Sequence, residues 1–184
     1  EKDNQAAQAN ADVIGSWLTA LLEEQGFSLR RGVCGFPTGF IAEYTQPGTG
    51  DAKGPVICLL CEYDALPGMS PVRAGEPGHG CGHNLFAASC VTTACLLKDM
   101  VSRHGMGCTL RVYGTPAEET VGGKIQMKER GCFQDIDVAL MLHPSPTTTT
   151  DVKCMAMATY QVTFYGISAH AAMSPESGRG FMPG

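Results

Sequence analysis

The chain has 184 residues, 43% of them hydrophobic, enough for one domain, or one and part of another, to bury about 70% of the surface its unfolded chain exposes. Thirteen Lys and Arg against 18 Asp and Glu give a net charge of −5, and no basic stretch is dense enough to track a phosphate backbone, which disfavours nucleic acid as a partner. No uninterrupted apolar run approaches a membrane span, and Glu1-Lys2-Asp3-Asn4 has no signal-peptide pattern, so no membrane partner is expected either. The absence of an initiator Met predicts further sequence upstream.

In chain order, apolar residues at Val13, Ile14, Trp17, Leu18, Leu21 and Leu22 keep helical spacing and predict an amphipathic helix over 4–25, stopped by Gly26. Residues 39–45 read as a strand, and after the turn-rich 46–50 a nearly continuous apolar run predicts a second strand over 55–61, covered on both faces. The stretch from Asp64 to His83 is dense in Pro and Gly and reads as a functional loop. Asn84 then caps a helix to about residue 103. A strand over 108–114, a helix over 122–130 stopped by Gly131, and a strand over 136–142 complete the series. Strands alternating with helices at these lengths predict an α/β fold with right-handed crossovers and a parallel sheet. Residues 155–166 alternate like a strand of a different, more exposed sheet, so a boundary is expected near Asp151.

The nine Cys form an odd set, and Cys58, Cys61, Cys90, Cys95, Cys108 and Cys132 sit in apolar runs. They read as buried reduced thiols, which points to a cytoplasmic or nuclear compartment. Cys81 differs, because it lies in the Gly-rich loop His79-Gly80-Cys81-Gly82-His83-Asn84. That loop follows Glu62-Tyr63-Asp64 and precedes Glu118-Glu119 and His143. Thiolate, imidazole and paired carboxylates on successive loops suit a metal-centred hydrolytic site. In an α/β sheet, loops beyond the carboxyl ends of strands meet at the ligand crevice, and Asp64, Glu118, Glu119 and His143 each follow a predicted strand. Each residue also has a plainer reading: Cys81 as a core thiol, His83 or His143 as a loop histidine, Asp64 in an Asx turn, and the glutamates at the positive end of a helix.

Four segments in order, Glu62-Tyr63-Asp64-Ala65-Leu66-Pro67-Gly68, Gly80-Cys81-Gly82-His83-Asn84, Gly114-Thr115-Pro116-Ala117-Glu118-Glu119 and Leu142-His143-Pro144-Ser145, resemble the motifs of the aminoacylase and carboxypeptidase G superfamily of dinuclear metallohydrolases. Within it the Cys-Gly-His-Asn loop looks most like the Xaa-Arg dipeptidase branch. The resemblance implies a zinc-exopeptidase-like α/β/α sandwich with a mainly parallel central sheet, residues 1–150 being the N-terminal part of the catalytic domain. Residues 151–184 would begin a smaller α+β lid domain that also dimerises.

It further implies two divalent ions, zinc or manganese, held by Cys81, His83, Glu119 and His143, with Glu118 as general base. Asp64 would orient a ligand. His170, in Gly166-Ile167-Ser168-Ala169-His170-Ala171, matches the lid histidine that stabilises an oxyanion across a homodimer interface, or is a surface residue at a strand end. The implied substrates are dipeptides with a basic C-terminal residue (Arg, Lys, ornithine) or N-acyl amino acids.

Two departures accompany the matches. Residues 69–77 look like extra sequence that could displace ligands, and after Pro175 the rest of the lid and one last histidine ligand have no counterpart. Two other classes therefore stay open: a noncatalytic binding or dimerisation module with an incomplete metal site, and a thiol hydrolase using Cys81 with His143 as base.

Overall fold

A five-stranded sheet organises the chain, in the order β1-β2-β4-β3-β5. Its strands are β1 (Ser28–Arg31), β2 (Phe40–Gln46), β3 (Val56–Cys61), β4 (Cys108–Gly114) and β5 (Val138–Leu140). In this computed structural model all residues are described except 1, 50–53, 151, 154, 157, 159 and 181–184. The chain divides into two units, Glu1–Pro146 and Thr147–Gly184.

Strand β3 pairs in parallel with β4 on one side and β5 on the other, as the alternation of strands and helices predicts. The sheet is nevertheless mixed: β2 runs antiparallel to both β1 and β4. The period-two alternation of side chains along β3 divides the core between the two faces. Leu59 and Cys61 join Phe86, Ala87, Cys90, Val91 and Ala94 of helix α2 (His83–His104), together with Leu22 of α1 (Lys2–Glu24). Cys58 faces the other way, with Ile41, Tyr113 and Met127 of α4 (Gly123–Glu129). A short helix α3 (Glu118–Val121) precedes α4.

Helix α1 uses only part of its predicted apolar face. Ala11 and Leu22 are buried, whereas Val13, Trp17 and Leu21 are exposed. Helix α2 is long and apolar enough to cross a membrane by length and composition, but its buried residues recur at helical spacing and pack on the sheet, which is the pattern of a core helix.

Two expectations are corrected. Cys132 is not a reduced thiol: it is disulfide-bonded to Cys34, and both border the cluster on the Met127 face. The described residues of 155–166 form no strand. Alternation supplies a pattern but no ladder partner, and in that unit only Ile167 and Arg179 exchange backbone hydrogen bonds, 2.6 and 2.9 Å long, among the described residues.

Candidate metal centre

Parallel pairing sets Cys61 opposite Gly114, so the segments leaving β3 and β4 emerge at the same end of the sheet. Thr115 keeps them together, its N–H and hydroxyl donating to the Cys61 carbonyl at 2.8 and 3.2 Å. Helix α2 begins at that end, and β5, parallel to β3, delivers residues 141–143 to it. At Gly82, with φ 80°, a Cβ would meet the Pro144 ring at 3.0 Å, so glycine allows the segment carrying His143 to close on the Cys81 loop. The adjacent glutamates are turned into the site by Ala117, which holds φ 60° and ψ 38° ahead of α3.

These elements gather two overlapping donor sets, Cys81 with His83 and His143, and His83 with Glu118 and Glu119, each with its ligand atoms within 4.8 Å of one another. His83 is fully buried. Its Nδ1 lies 3.0 Å from Asp64 Oδ1, so a proton there is donated to the carboxylate, which leaves Nε2 as the nitrogen aimed at the metal position. His143 is oriented the same way: Nδ1 donates to the Pro144 carbonyl at 2.8 Å, while Nε2 lies 3.5 Å from Cys81 Sγ. Both imidazoles thus turn Nε2 inward, the nitrogen that carries the lone pair for a metal when the ring is neutral. The second oxygen of Asp64 accepts the Glu119 backbone N–H at 3.0 Å, which ties a β3 loop to α3.

The site's charge is strongly negative. Burial opposes ionisation of Asp64, but its bonds from His83 and the Glu119 N–H hold it below the usual carboxylate range. Burial likewise opposes the His83 cation, yet Asp64, Glu62 and Glu119 raise its pKa. Glu118 is raised by burial and by the nearby Glu62 charge. The Cys81 thiol is pushed up to about 11 by burial, by its hydrogen bond with Glu119 and by the surrounding carboxylates. A nucleophilic cysteine needs the reverse environment, so Cys81 is poorly placed for thiol hydrolysis.

A divalent metal fits this donor set. Thiolate, two lone-pair imidazole nitrogens and carboxylates are the ligands of zinc-like ions. His83 Nε2 and Glu62 Oε2 are buried with no hydrogen-bond partner in the described structure.

Of the sequence-predicted residues, Cys81, His83, Glu118, Glu119, His143 and Asp64 come together. His170 belongs to the other unit, where its Nδ1 accepts the N–H groups of Ala172 and Met173 at 3.3 and 3.2 Å. The extra sequence displaces no ligand. Leu66 and Gly78 exchange two 2.9 Å backbone hydrogen bonds and pinch it off at the neck.

Sequence reasoning gave no role to Glu62, which is 1% exposed, and did not single out Lys124, whose ammonium group bonds its carboxylate. The position of Glu62 two residues before Asp64 was the available signal; nothing in the sequence marks Lys124.

A sheet with thiol, imidazole and carboxylate donors converging at the carboxyl ends of its parallel strands has the plan of a metallopeptidase. Residues 58–179 match the model of peptidase family M20/M25/M40, and the chain belongs to that family. It is 41% identical over 172 residues to one component of the p-aminobenzoyl-glutamate hydrolase of Escherichia coli K12, covering 88% of this chain and 34% of that protein. It is 39% identical over 149 residues to the Xaa-Arg dipeptidase of Mus musculus, covering 78% and 32%. A solved structure described as a dinuclear metal binding peptidase from the M20 family of Bacillus subtilis matches with a TM-score of 0.59 and 29% identity, covering 73% of this chain and 37% of that one. The chain spans about a third of the length of the curated relatives it matches.

Proposed function

We propose that this protein hydrolyses the amide bond between an acyl group and an α-amino acid that carries a free carboxylate, using divalent metal. The supporting observation is the convergence of the Nε2 atoms of His83 and His143, the Cys81 sulfur and the Glu118-Glu119 pair at one sheet end. The two curated relatives share this chemistry: aminobenzoyl-glutamate and Xaa-Arg dipeptides are both amides of an amino acid. Dipeptides with a basic C-terminal residue are the preferred class, with N-acyl amino acids next.

Cys81, His83, Glu119 and His143 would hold the metal, zinc or manganese. When bound, such ions activate water and polarise an amide carbonyl. Glu118, whose carboxylate is made more basic by burial and the nearby Glu62 charge, takes a proton from the attacking water and returns it to the departing amine. Asp64 keeps the His83 ring and the Glu119 backbone in register. His170 serves the developing oxyanion in the assembled homodimer.

The test uses the purified chain with Xaa-Arg, Xaa-Lys, p-aminobenzoyl-glutamate and N-acetylcysteine. Turnover should stop with chelator and return with manganese or zinc. Glu118→Ala should lower kcat at least about 100-fold while retaining metal, whereas His83→Ala and Glu119→Ala should lose metal. Bound metal without turnover of any of these amides would reject the catalytic reading.

A further inference from the structure

We infer that Glu62 is an additional metal-facing carboxylate beside His83, and that Lys124 is the positioning residue that aims it. This inference rests on the proposed metal centre and adds two residues to it. The Glu62 side chain is 2% exposed and that of His83 is 1% exposed. Glu62 Oε1 is bonded by the Lys124 ammonium group, reaching in from the first turn of α4. Its other oxygen, Oε2, lies 3.2 Å from His83 Nε2.

The two atoms are within ion-pair distance, and neither has a hydrogen-bond partner among the described residues. In the neutral ring, whose Nδ1 proton goes to Asp64, Nε2 offers a lone pair, and so does Oε2. Two buried lone pairs facing each other repel unless a proton or a metal cation lies between them, and the acidic surroundings that favour a proton there favour a divalent ion in the same place. Neighbouring ligands about 2.0–2.1 Å from one zinc-sized ion lie about 3.0–3.4 Å apart, and the observed separation falls in that interval. Glu119 Oε1, 3.9 Å from the same Nε2, borders the same space.

Lys124 has two effects. It fixes the carboxylate's rotamer, so only Oε2 remains to face the metal, and its positive charge competes with the metal for the same carboxylate. Packing around the 2% exposed Glu62 side chain limits how far its carboxylate can turn when Lys124 is lost, so removal of the competing charge sets the sign. Substituting the two residues therefore moves metal affinity in opposite directions, which a merely structural ion pair would not do.

The experiment measures manganese(II) binding to the 184-residue chain by calorimetry and by the metal-induced rise in Tm, with cobalt(II) absorption as a report of coordination. Glu62→Gln keeps the shape and removes the charge. It should weaken manganese at one site at least about tenfold, reduce the rise in Tm and shift the cobalt d–d bands. Lys124→Met should bind manganese more tightly than wild type and show a larger rise in Tm. Unchanged binding and spectra in both variants would overturn the inference, as would equal weakening in both. If Glu62→Gln does not fold, Lys124→Met decides alone: tighter binding supports the inference, and unchanged or weaker binding overturns it. If the wild-type chain binds no manganese or zinc, the metal reading itself fails; if it binds and the variants match it, only the role of Glu62 fails.

Discussion

Asp64 connects two otherwise separate parts of the site, and its chemistry leaves little room for substitution. One oxygen accepts from the His83 ring and the other from the Glu119 backbone N–H. An ionised carboxylate accepts at both oxygens, whereas an amide accepts at only one. Asp64→Asn therefore sets a donor against a donor at one of the two contacts. The ring or the start of α3 must then move away. Metal affinity should fall about 10–100-fold, measurable by competition with a chromophoric chelator. Unchanged affinity would mean that packing alone holds His83.

Asp64, Cys81, His83, Glu118, Glu119 and His143 were legible because each stands in a short motif at a strand or helix end. The ion pair of Lys124 with Glu62 was not, because it joins residues 62 positions apart. Burial, which makes that pair consequential, cannot be read from either residue type.

Elements were legible where hydrophobic pattern and punctuation agreed. The apolar run Val56–Cys61 and the Gly-terminated α2 fall within a residue of their expected bounds. Strand β1 carried no signal, since three of the four residues in Ser28-Leu29-Arg30-Arg31 are exposed and only its antiparallel partner β2 defines it. Strand β2 was read from the sequence, but with β1 unseen nothing in the pattern showed that it runs antiparallel to its neighbours.

The end of β4 shows how tightly this sheet is built. A Cβ at Gly114 would lie 2.2 Å from two atoms of the Phe40 ring. Phe40 is 1% exposed and its ring is stacked with that of Tyr63, 5.8 Å away, so it has little room to withdraw. Replacing glycine by alanine at an unstrained position stabilises by about 0.4–1 kcal/mol through the unfolded chain. Here overpacking of about 1–3 kcal/mol opposes it and should win. Gly114→Ala should lower the urea midpoint without changing the slope, and a raised midpoint would show that Phe40 rotates away at little cost.

At the scale of the whole first unit, one cation links its two halves on the sheet surface. Arg111 of β4, with a side chain 12% exposed, bonds Glu43 of β2 at 2.5 Å and Asp135, ahead of β5, at 2.7 Å. The hydrogen bond from Arg111 holds the Asp135 carboxyl below its ordinary value, against a small opposing effect of burial. A carboxyl with a depressed folded pKa contributes stability that is fully present above its unfolded pKa of about 3.9. That contribution is lost as pH falls through the lower folded value. Asp135 is 63% exposed in its side chain, so solvent screens the pair and its share is small. The difference in stability between wild type and Arg111→Gln, measured by urea unfolding, should therefore be constant from about pH 5 to 7 and narrow below about pH 4. The acidic metal centre is common to both proteins and cancels in that difference. A gap that stays constant down to about pH 3 would remove Asp135 from the link and leave the contribution of Arg111 to packing and Glu43.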